Sequence, residues 1–255
     1  MYHAGTLRDE AGVCTTGGRG LSVTGVGRDL GEALSRAYAG VARVRFAGAQ
    51  WRRDIGRGRA ARRARVVVLV SGSGSNLQAL IDAGAALGGE IVGVVSNRAD
   101  AFALQRAAAA GIESAVLSHR GFADRASYDA ALAEVVGRFR PDLVVLAGFM
   151  RVLGKAFLGA FDAIINLHPA LPGAFPGTDA IRRAWEAAQR GEVAGTGVMV
   201  HRVVEEVDAG PVLGVAEVLI DPAAPLAALE AAMHAAEHRL LVDVVAAECR
   251  RLGGG

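Results

Sequence analysis

From residue 66 onward, short apolar runs alternate with stretches that carry charged and polar residues at helical spacing. The apolar runs are rich in valine, isoleucine and leucine and end at glycine, serine or asparagine. Apolar strands that alternate with helices are typical of a parallel sheet that is covered on both faces. The pattern therefore predicts an α/β fold with a doubly wound, mostly parallel sheet.

Five strands and three longer helices are predicted in the first part of this region. The strands are RVVVLVSG (65–72), GEIVGVVSN (89–97), ESAVLSH (113–119), PDLVVLAGF (141–149) and AIINLHP (163–169). The helices are SNLQALIDAGAAL (75–87), ADAFALQRAAAAG (99–111) and DRASYDAALAEVVGRF (124–139). We expect Ser75 or Asn76 to cap the first helix, and a short helical link to precede the fifth strand.

The rhythm changes after residue 178. A helix is predicted over 179–191, and two strands over 195–206 and 210–220 follow with only a short loop between them. Such a short connection favours an antiparallel pair. The apolar pattern of 225–252 predicts a long closing helix.

The N-terminal part does not fit this scheme. Residues 19–27 predict a strand and a turn, and residues 29–44 predict one helix, which is too little to form a core alone. Residues 51–65 hold seven arginines against one aspartate, which indicates a solvated linker. We therefore divide the chain into an N-terminal segment (1–50), a linker (51–64) and a main domain (65–255).

Composition narrows the class of protein. Over half of the residues are apolar and the net charge is only +2, so a large core can be buried and no overall basic field points to nucleic acid. The two cysteines, Cys14 and Cys249, have no ligand-like spacing, which argues against a disulfide framework or structural zinc. No apolar run is long enough to span a membrane. We expect a cytoplasmic protein with small-molecule partners, and neither nucleic acid nor membrane as a partner.

The glycine-rich stretch SGSGSN (71–76) lies between the first strand and the first helix. Glycines allow a close backbone approach to an anion, and a helix N-terminus supplies free N–H groups. The stretch lacks the lysine of a Walker A loop, and Leu77 stands where a dinucleotide fingerprint has its third glycine. It favours a phosphomonoester over ATP or NAD, although a plain strand-to-helix turn would also fit.

Asn166 and His168 come at the end of the fifth strand, followed by a loop with three prolines. Alternate residues of a strand point to the same side, and ligands of open parallel sheets bind beyond the carboxyl ends of the strands. A lone histidine is more often structural, but here an amide accompanies it. Asn166 can donate to a carbonyl oxygen, and His168 can transfer a proton.

Asp208 lies in the turn between the two late strands, where it could serve only the turn. Placed near His168, it would raise the pKa of the imidazole and fix its orientation. An asparagine, a histidine and an aspartate without a serine or cysteine nucleophile suit acyl transfer in which the amine of the substrate attacks.

Four ordered motifs resemble phosphoribosylglycinamide formyltransferase, a folate-dependent enzyme family of purine biosynthesis, over about residues 65–252. The motifs are VVVLVSGSGSNLQALI, VVLAGFMRVL, INLHPAL…FPGTDA and VDAGPV. The resemblance implies a Rossmann-like formyltransferase fold. It also implies transfer of a formyl group from 10-formyltetrahydrofolate to the amine of glycinamide ribonucleotide (GAR), without a metal.

The resemblance also implies site residues. Asn166, His168 and Asp208 would be catalytic. The GAR site would contain Gly74, Ser75, Asn76, His234 and Glu237. The folate site would contain Arg125, Met150, Arg151, Val152, Leu153, Asn166, Val204, Glu205, Glu206, Val207 and Asp208. One departure from the family pattern is Pro172, one place early and followed by Gly173, which puts the rigidity of this loop and its contacts with GAR in question.

The N-terminal segment resembles the last part of phosphoribosylamine–glycine ligase, which makes GAR. The likeness rests on YHAGT, TTGGRGLSVTGVG, EALSRAYAGV and RRDIG. Only the tail of the ligase is present, so ligase activity is not implied. We expect a fusion or neighbour relationship with that ligase.

Two related enzymes share the same catalytic residue types. Formyltetrahydrofolate hydrolase is expected to add an N-terminal regulatory domain of another type. Methionyl-tRNA formyltransferase is expected to add a basic C-terminal domain, which the sequence to Gly255 does not contain. A ribonucleotide-binding module without catalysis is a third alternative, but it leaves the Asn–His–Asp set unexplained.

Overall fold

The alternation of strands and helices predicted from residue 66 onward is present in the computed structural model, which describes residues 2–10, 12–53, 55–56 and 63–253. The chain divides into two units, Met1–Ala60 and Ala61–Gly255. The strands of the second unit are β5 (Ala64–Val70), β6 (Gly89–Ser96), β7 (Ser114–Val116), β8 (Leu143–Leu146), β9 (Ile164–His168), β10 (Gly195–Arg202) and β11 (Val212–Leu219). Its helices are α2 (Ser75–Ala83), α3 (Phe102–Ala109), α4 (Arg125–Gly137), α5 (Lys155–Leu158), α6 (Ala180–Gln189) and α7 (Leu226–Gly253).

The seven strands form one sheet in the order β11-β10-β9-β8-β5-β6-β7. Neighbours from β9 to β7 run parallel, whereas β10 is antiparallel to both β9 and β11. The predicted mostly parallel sheet and the late antiparallel pair are therefore confirmed. The chain leaves β5 toward one edge and returns to start β8 on its other side, so the crevice between β5 and β8 is the expected place for a ligand.

The side chains of β5 show why this strand has no polar face. Val66, Val68 and Val70 pack into one core with α2, α3 and α7. Val67 and Leu69 pack into a second core with α4 and α5 on the opposite face of the sheet. A strand that is buried on both faces has a continuous apolar run, as the sequence shows.

Helix α7 closes the first of these cores. Its buried residues include Met233, Leu241, Val245 and Cys249, and it packs against α2, α6 and four strands of the sheet. The predicted closing helix is confirmed.

The cap prediction for α2 is wrong. The N-cap residue is Gly74, whose φ of 70° lies in the left-handed region, and no side chain caps this helix. Ser75 and Asn76 instead occupy the first helical positions. The left-handed conformation favours glycine there.

The first unit contains the strands β1 (Tyr2–His3), β2 (Thr6–Asp9), β3 (Gly12–Thr15) and β4 (Leu21–Ser22) and the helix α1 (Leu30–Val41). The predicted helix is present, and the carboxylate of Asp29 caps it by accepting from the Glu32 N–H. The strand predicted over 19–27 is limited to two residues. None of the described residues of this unit is buried.

Among the described residues, no helix combines the length and the apolar character that crossing a membrane requires.

Candidate active site

A cavity of about 930 Å³ opens where β5, β8 and β9 end. Its walls come from four segments: the glycine-rich loop 71–76, the segment 146–153 after β8, the end of β9 with the loop after it, and the loop 203–208. His234 and Glu237 of α7 also line the cavity, as do Arg98, Ile181 and His201. The cavity lies at the switch point of the sheet, and it contains every predicted site residue except Arg125.

Asn166, His168 and Asp208 meet in this cavity. Asp208 Oδ2 lies 3.4 Å from His168 Nδ1, and Asp208 Oδ1 accepts from Asn166 Nδ2 at 3.3 Å. His168 is only 5% exposed. One carboxylate therefore orients both the amide and the imidazole, which are brought to the same side of β9 by their two-residue spacing.

Three residues at the site have backbone strain. Phe175, Asp179 and Asp208 have φ values of 46°, 56° and 56°, in the left-handed region that residues with side chains rarely adopt. Phe175 and Asp179 flank Gly177 in the proline-rich loop, and the Gly177 N–H donates to Asp208 Oδ2 at 3.2 Å. Strain of this kind persists only where the surrounding contacts hold it.

The pKa of His168 lies below its ordinary value, although Asp208 acts to raise it, as predicted. Burial lowers the pKa, and it outweighs the opposite effects of Asp208 and of the Phe175 carbonyl, which lies 3.2 Å from His168 Nε2. The neutral imidazole is therefore favoured at neutral pH.

The pKa of Asp208 also lies below its ordinary value. Burial acts to raise it, but hydrogen bonds from His201 and the Gly177 N–H and the charge of His168 together act more strongly. Asp208 is therefore a carboxylate at neutral pH, as the pairing with His168 requires.

His201 is a site residue that the sequence analysis missed. It pairs directly with Asn166 across β9 and β10, and its Nε2 lies 3.2 Å from Asn166 Nδ2 and 3.5 Å from Asp208 Oδ1. Its Nδ1 lies 2.8 Å from the Arg202 carbonyl, so Nδ1 carries a proton. The available signal was a histidine at the end of an apolar strand, the same signal as for His168.

The first turn of α2 offers free N–H groups to the cavity. No side chain caps the helix, and its first turn contains no acidic residue of its own. The Arg106 side chain donates to the Ser73 carbonyl at 2.9 Å and holds the loop from behind. These features suit an anion that approaches the backbone.

The predicted ribonucleotide residues on α2 and α7 are also in contact with each other. Asn76 Nδ2 donates to Glu237 Oε2 at 3.0 Å, while Asn76 Oδ1 is buried without a partner. Glu237 is buried and His234 is exposed at the rim. Helix α7 thus brings a carboxylate next to the glycine-rich loop.

The predicted folate residues form the opposite wall. Met150 and Val152 are exposed, and Leu153 is buried below them. Across from them, Val204 to Asp208 line the cavity as well.

Arg125 is not among the residues that line the cavity, and its predicted contact with folate stays a prediction. It lies at the start of α4, where its guanidinium is 3.6 Å from the buried carboxylate of Asp129. Asp129 in turn accepts from the Gly154 N–H at 2.7 Å. Arg125 therefore supports the residues that follow the folate wall rather than the wall itself.

Ser71 links the two walls. Its hydroxyl donates to Asn97 Oδ1 at 2.6 Å and accepts from the Met150 N–H at 2.8 Å. Ser71 and Asn97 are both buried. The sequence analysis placed Ser71 in the glycine-rich stretch but did not predict this bridge.

The model of the family "Formyl transferase" matches residues 64–245. The chain belongs to the formyl transferase family. The phosphoribosylglycinamide formyltransferase of Schizosaccharomyces pombe is 47% identical over 197 residues, which cover 71% of this chain and 95% of that relative. The crystal structure of glycinamide ribonucleotide transformylase 1 from Symbiobacterium toebii matches with a TM-score of 0.70 and 36% identity, over 76% of this chain and 90% of that one. The resemblance and the fold predicted from the motifs are confirmed.

The N-terminal unit of this formyl transferase matches a second family, "Phosphoribosylglycinamide synthetase, C domain", over residues 1–58. A trifunctional purine biosynthetic protein of Drosophila melanogaster, adenosine-3, is 43% identical over 182 residues. These cover 69% of this chain but only 13% of that longer protein. The predicted likeness of the segment to the ligase tail is confirmed.

Proposed function

We propose that the protein transfers the formyl group of 10-formyltetrahydrofolate to the amine of glycinamide ribonucleotide, giving formylglycinamide ribonucleotide. The observation that carries the proposal is the set of Asn166, His168 and Asp208, held by hydrogen-bond distances in a cavity between two different walls. One wall suits a phosphate, and the other combines the exposed side chains of Met150 and Val152 with the loop 204–208. The similar proteins of Schizosaccharomyces pombe and Symbiobacterium toebii are named after this reaction.

The chemistry follows from the protonation states. The amine of GAR attacks the formyl carbon, and the carbonyl electrons move to the formyl oxygen. Neutral His168 accepts the proton that the amine loses, and the carboxylate of Asp208 stabilises the imidazolium that forms. The imidazolium then gives its proton to the leaving nitrogen of the folate as the carbon–nitrogen bond breaks and the carbonyl re-forms.

Asn166 is the donor for the oxygen that becomes negative. Its Nδ2 donates to Asp208 Oδ1 at 3.3 Å and lies 3.2 Å from His201 Nε2. When one N–H of the amide donates to the formyl oxygen, the other can keep its hydrogen bond to Asp208 and so keep the amide oriented. A preorganised donor of this kind stabilises the transition state more than the ground state.

The two walls support a proposal for where each substrate binds. We place the phosphate of GAR at the first turn of α2 with Gly74, Ser75 and Asn76, and its ribose near Glu237. We place the folate against 150–153 and the loop 204–208. His234, at the rim, would contact the ribonucleotide.

The proposal is tested by incubating the protein with GAR and 10-formyltetrahydrofolate and measuring formylglycinamide ribonucleotide. Parallel reactions omit GAR, to measure hydrolysis of the formylfolate, or replace GAR by its dephosphorylated nucleoside. We expect transfer that depends on the phosphate and little hydrolysis. Hydrolysis that does not need GAR would instead indicate a hydrolase, and binding without turnover a ribonucleotide-binding module.

The remaining sequence predictions stay proposals. These are the boundaries at residues 50 and 64, a cytoplasmic location, a reaction without metal and a functional relationship with the GAR-making ligase. The last is supported by the match of residues 1–58 to the synthetase C domain. Co-purification with the ligase tests it.

A further inference from the structure

Arg183 lies outside the catalytic set but reaches the loop that covers it. Its side chain, on the first turn of α6, points back toward the residues before the helix. Arg183 Nη2 lies 2.9 Å from the Phe175 carbonyl oxygen and 2.6 Å from that of Pro176. The guanidinium carbon also lies 5.9 Å from the centre of the Phe175 ring.

The two carbonyls that Arg183 binds lie between two contacts with catalytic residues. The Phe175 oxygen lies 3.2 Å from His168 Nε2, and the Gly177 N–H donates to Asp208 at 3.2 Å. Residues 175–177 therefore contact both His168 and Asp208. Because Phe175 has a φ of 46°, this backbone needs contacts from outside to keep its shape.

We infer that Arg183 is a positioning residue for formyl transfer, which holds residues 175–177 against His168 and Asp208. The inference rests on the proposed function. Arg183 touches neither substrate in this arrangement, since it does not line the cavity.

His168 gains and loses a proton during the reaction, so it cannot donate a hydrogen bond to the Phe175 carbonyl at every step. When the proton of the neutral ring is on Nδ1, facing Asp208, Nε2 cannot donate to the Phe175 carbonyl. A guanidinium stays charged at every working pH, so Arg183 keeps this carbonyl hydrogen-bonded throughout turnover. Residues 175–177 can therefore keep their position when His168 gains or loses its proton.

The test compares Arg183→Met with Arg182→Met and Arg183→Lys. Arg182 is the exposed neighbour on the same helix and serves as the matched control. For each folded protein we would measure kcat, the KM of both substrates and the pH dependence of kcat/KM. The charged groups that face His168 are Asp208, His201 and Arg183, so the first two stay constant across the series.

We expect Arg183→Met to lower kcat at least about tenfold while both KM values change little, because misplaced catalytic groups cost turnover. Its acid limb should move to higher pH, since the Phe175 carbonyl must then take its hydrogen bond from protonated His168. Arg183→Lys, which keeps the charge but not the planar fork, should fall between this variant and the wild type. Arg182→Met should match the wild type.

The inference is overturned if Arg183→Met behaves like Arg182→Met, or if it loses only thermal stability while kcat and the pH profile stay unchanged. If Arg183→Met does not fold, Arg183→Lys decides, and wild-type kcat in that folded protein counts against the inference. An inactive wild type would contradict the proposed function itself.

Discussion

At His168, burial and a nearby carboxylate act on the imidazole in opposite directions, and burial has the larger effect. A folded-state pKa below the ordinary value means that the neutral, proton-accepting ring persists to lower pH than in the unfolded chain. The unfolded chain binds more protons between the two pKa values, so the free energy of unfolding falls as pH drops through that interval.

The first prediction concerns this pH dependence. We expect kcat/KM to lose activity on the acid side with an apparent pKa below about 6.5, the ordinary value for histidine. Removing the charge with Asp208→Asn should move this limb to still lower pH in the residual activity, because Asp208 acts to raise the pKa. An acid limb above the ordinary value would contradict either the lowered pKa of His168 or the assignment of this limb to His168.

The second prediction concerns the size of the catalytic effect. His168→Ala or Asp208→Asn should lower kcat by about 10²–10³, the range typical for loss of one preorganised catalytic group. The fold should survive His168→Ala, since Asp208 keeps His201 and the Gly177 N–H as partners. Circular dichroism and a steady-state assay check both statements, and near-normal turnover in folded His168→Ala would contradict the mechanism.

The third prediction concerns stability. Ser71→Ala leaves the Met150 N–H and the side-chain oxygen Oδ1 of Asn97 without their shared hydroxyl. Loss of a buried partner costs roughly 1–3 kcal/mol, and we expect a decrease of that size in the free energy of unfolding by urea. Ser73→Ala, in an exposed position of the same loop, is the control, and equal stabilities would show that the bridge contributes nothing.

Sequence reasoning found Asn166, His168 and Asp208 because polar residues stand out where apolar runs end. It missed His201, although the signal was similar, because its value lies in its pairing with Asn166, and strand register follows from the three-dimensional sheet. It gave the direction in which Asp208 acts on the pKa of His168 but not the larger, opposite effect of burial, because burial depends on all the segments that cover the ring. Arg125 was placed by resemblance alone.

At the scale of elements, a substitution at the N-terminus of α2 can change ligand binding without lowering the stability of the protein. Replacing Gly74 cannot do this, because an added Cβ would lie 2.6 Å from the Cβ of Ala103 and the φ of 70° disfavours other residues. Any effect on GAR binding would be mixed with strain in the loop. Ser75, the first helical residue, is the better position.

The fourth prediction is that Ser75→Asp raises the KM for GAR at least about tenfold and leaves the KM for the folate nearly unchanged. A carboxylate at a helix N-terminus stabilises the helix by about 0.3–1 kcal/mol. The same charge repels a phosphate. The melting temperature should therefore stay constant or rise, and Ser75→Ala is the neutral control. Equal losses for both substrates would mean that the loop is not a dedicated phosphate site.

The strands of the main sheet were predictable because burial on both faces of β5, β6 and β8 leaves continuous valine and leucine runs. The short strands of the N-terminal unit were not, since β1 and β3 are exposed at every position and have no apolar alternation. The N-cap residue of α2 was predicted wrongly because Gly74 adopts a left-handed conformation, which the pattern of side chains does not indicate.

At the scale of the whole molecule, the described residues that line the cavity all come from the second unit. None of the described residues of the first unit is buried, and its Trp51 is 47% exposed. That unit therefore buries too little surface for a core of its own.

The fifth prediction follows. A shortened protein that begins at Arg63, close to Arg65, should keep full formyltransferase activity and nearly the same melting temperature as the full chain. Steady-state kinetics and calorimetry on the long and short proteins check this. Unfolding of the short form would show that residues 1–57 are required for the stability of the enzyme.

Helix α7 follows, in the chain, every element on which it packs. During synthesis the ribosome therefore releases the sheet, the glycine-rich loop and the catalytic residues before it releases Met233, Glu237 and Leu241. Until this helix docks, one core of the nascent sheet is uncovered and the proposed ribonucleotide site lacks the carboxylate of Glu237. Because a ligand that binds only the folded state stabilises it, we expect a ligand of this proposed site to favour the last folding step.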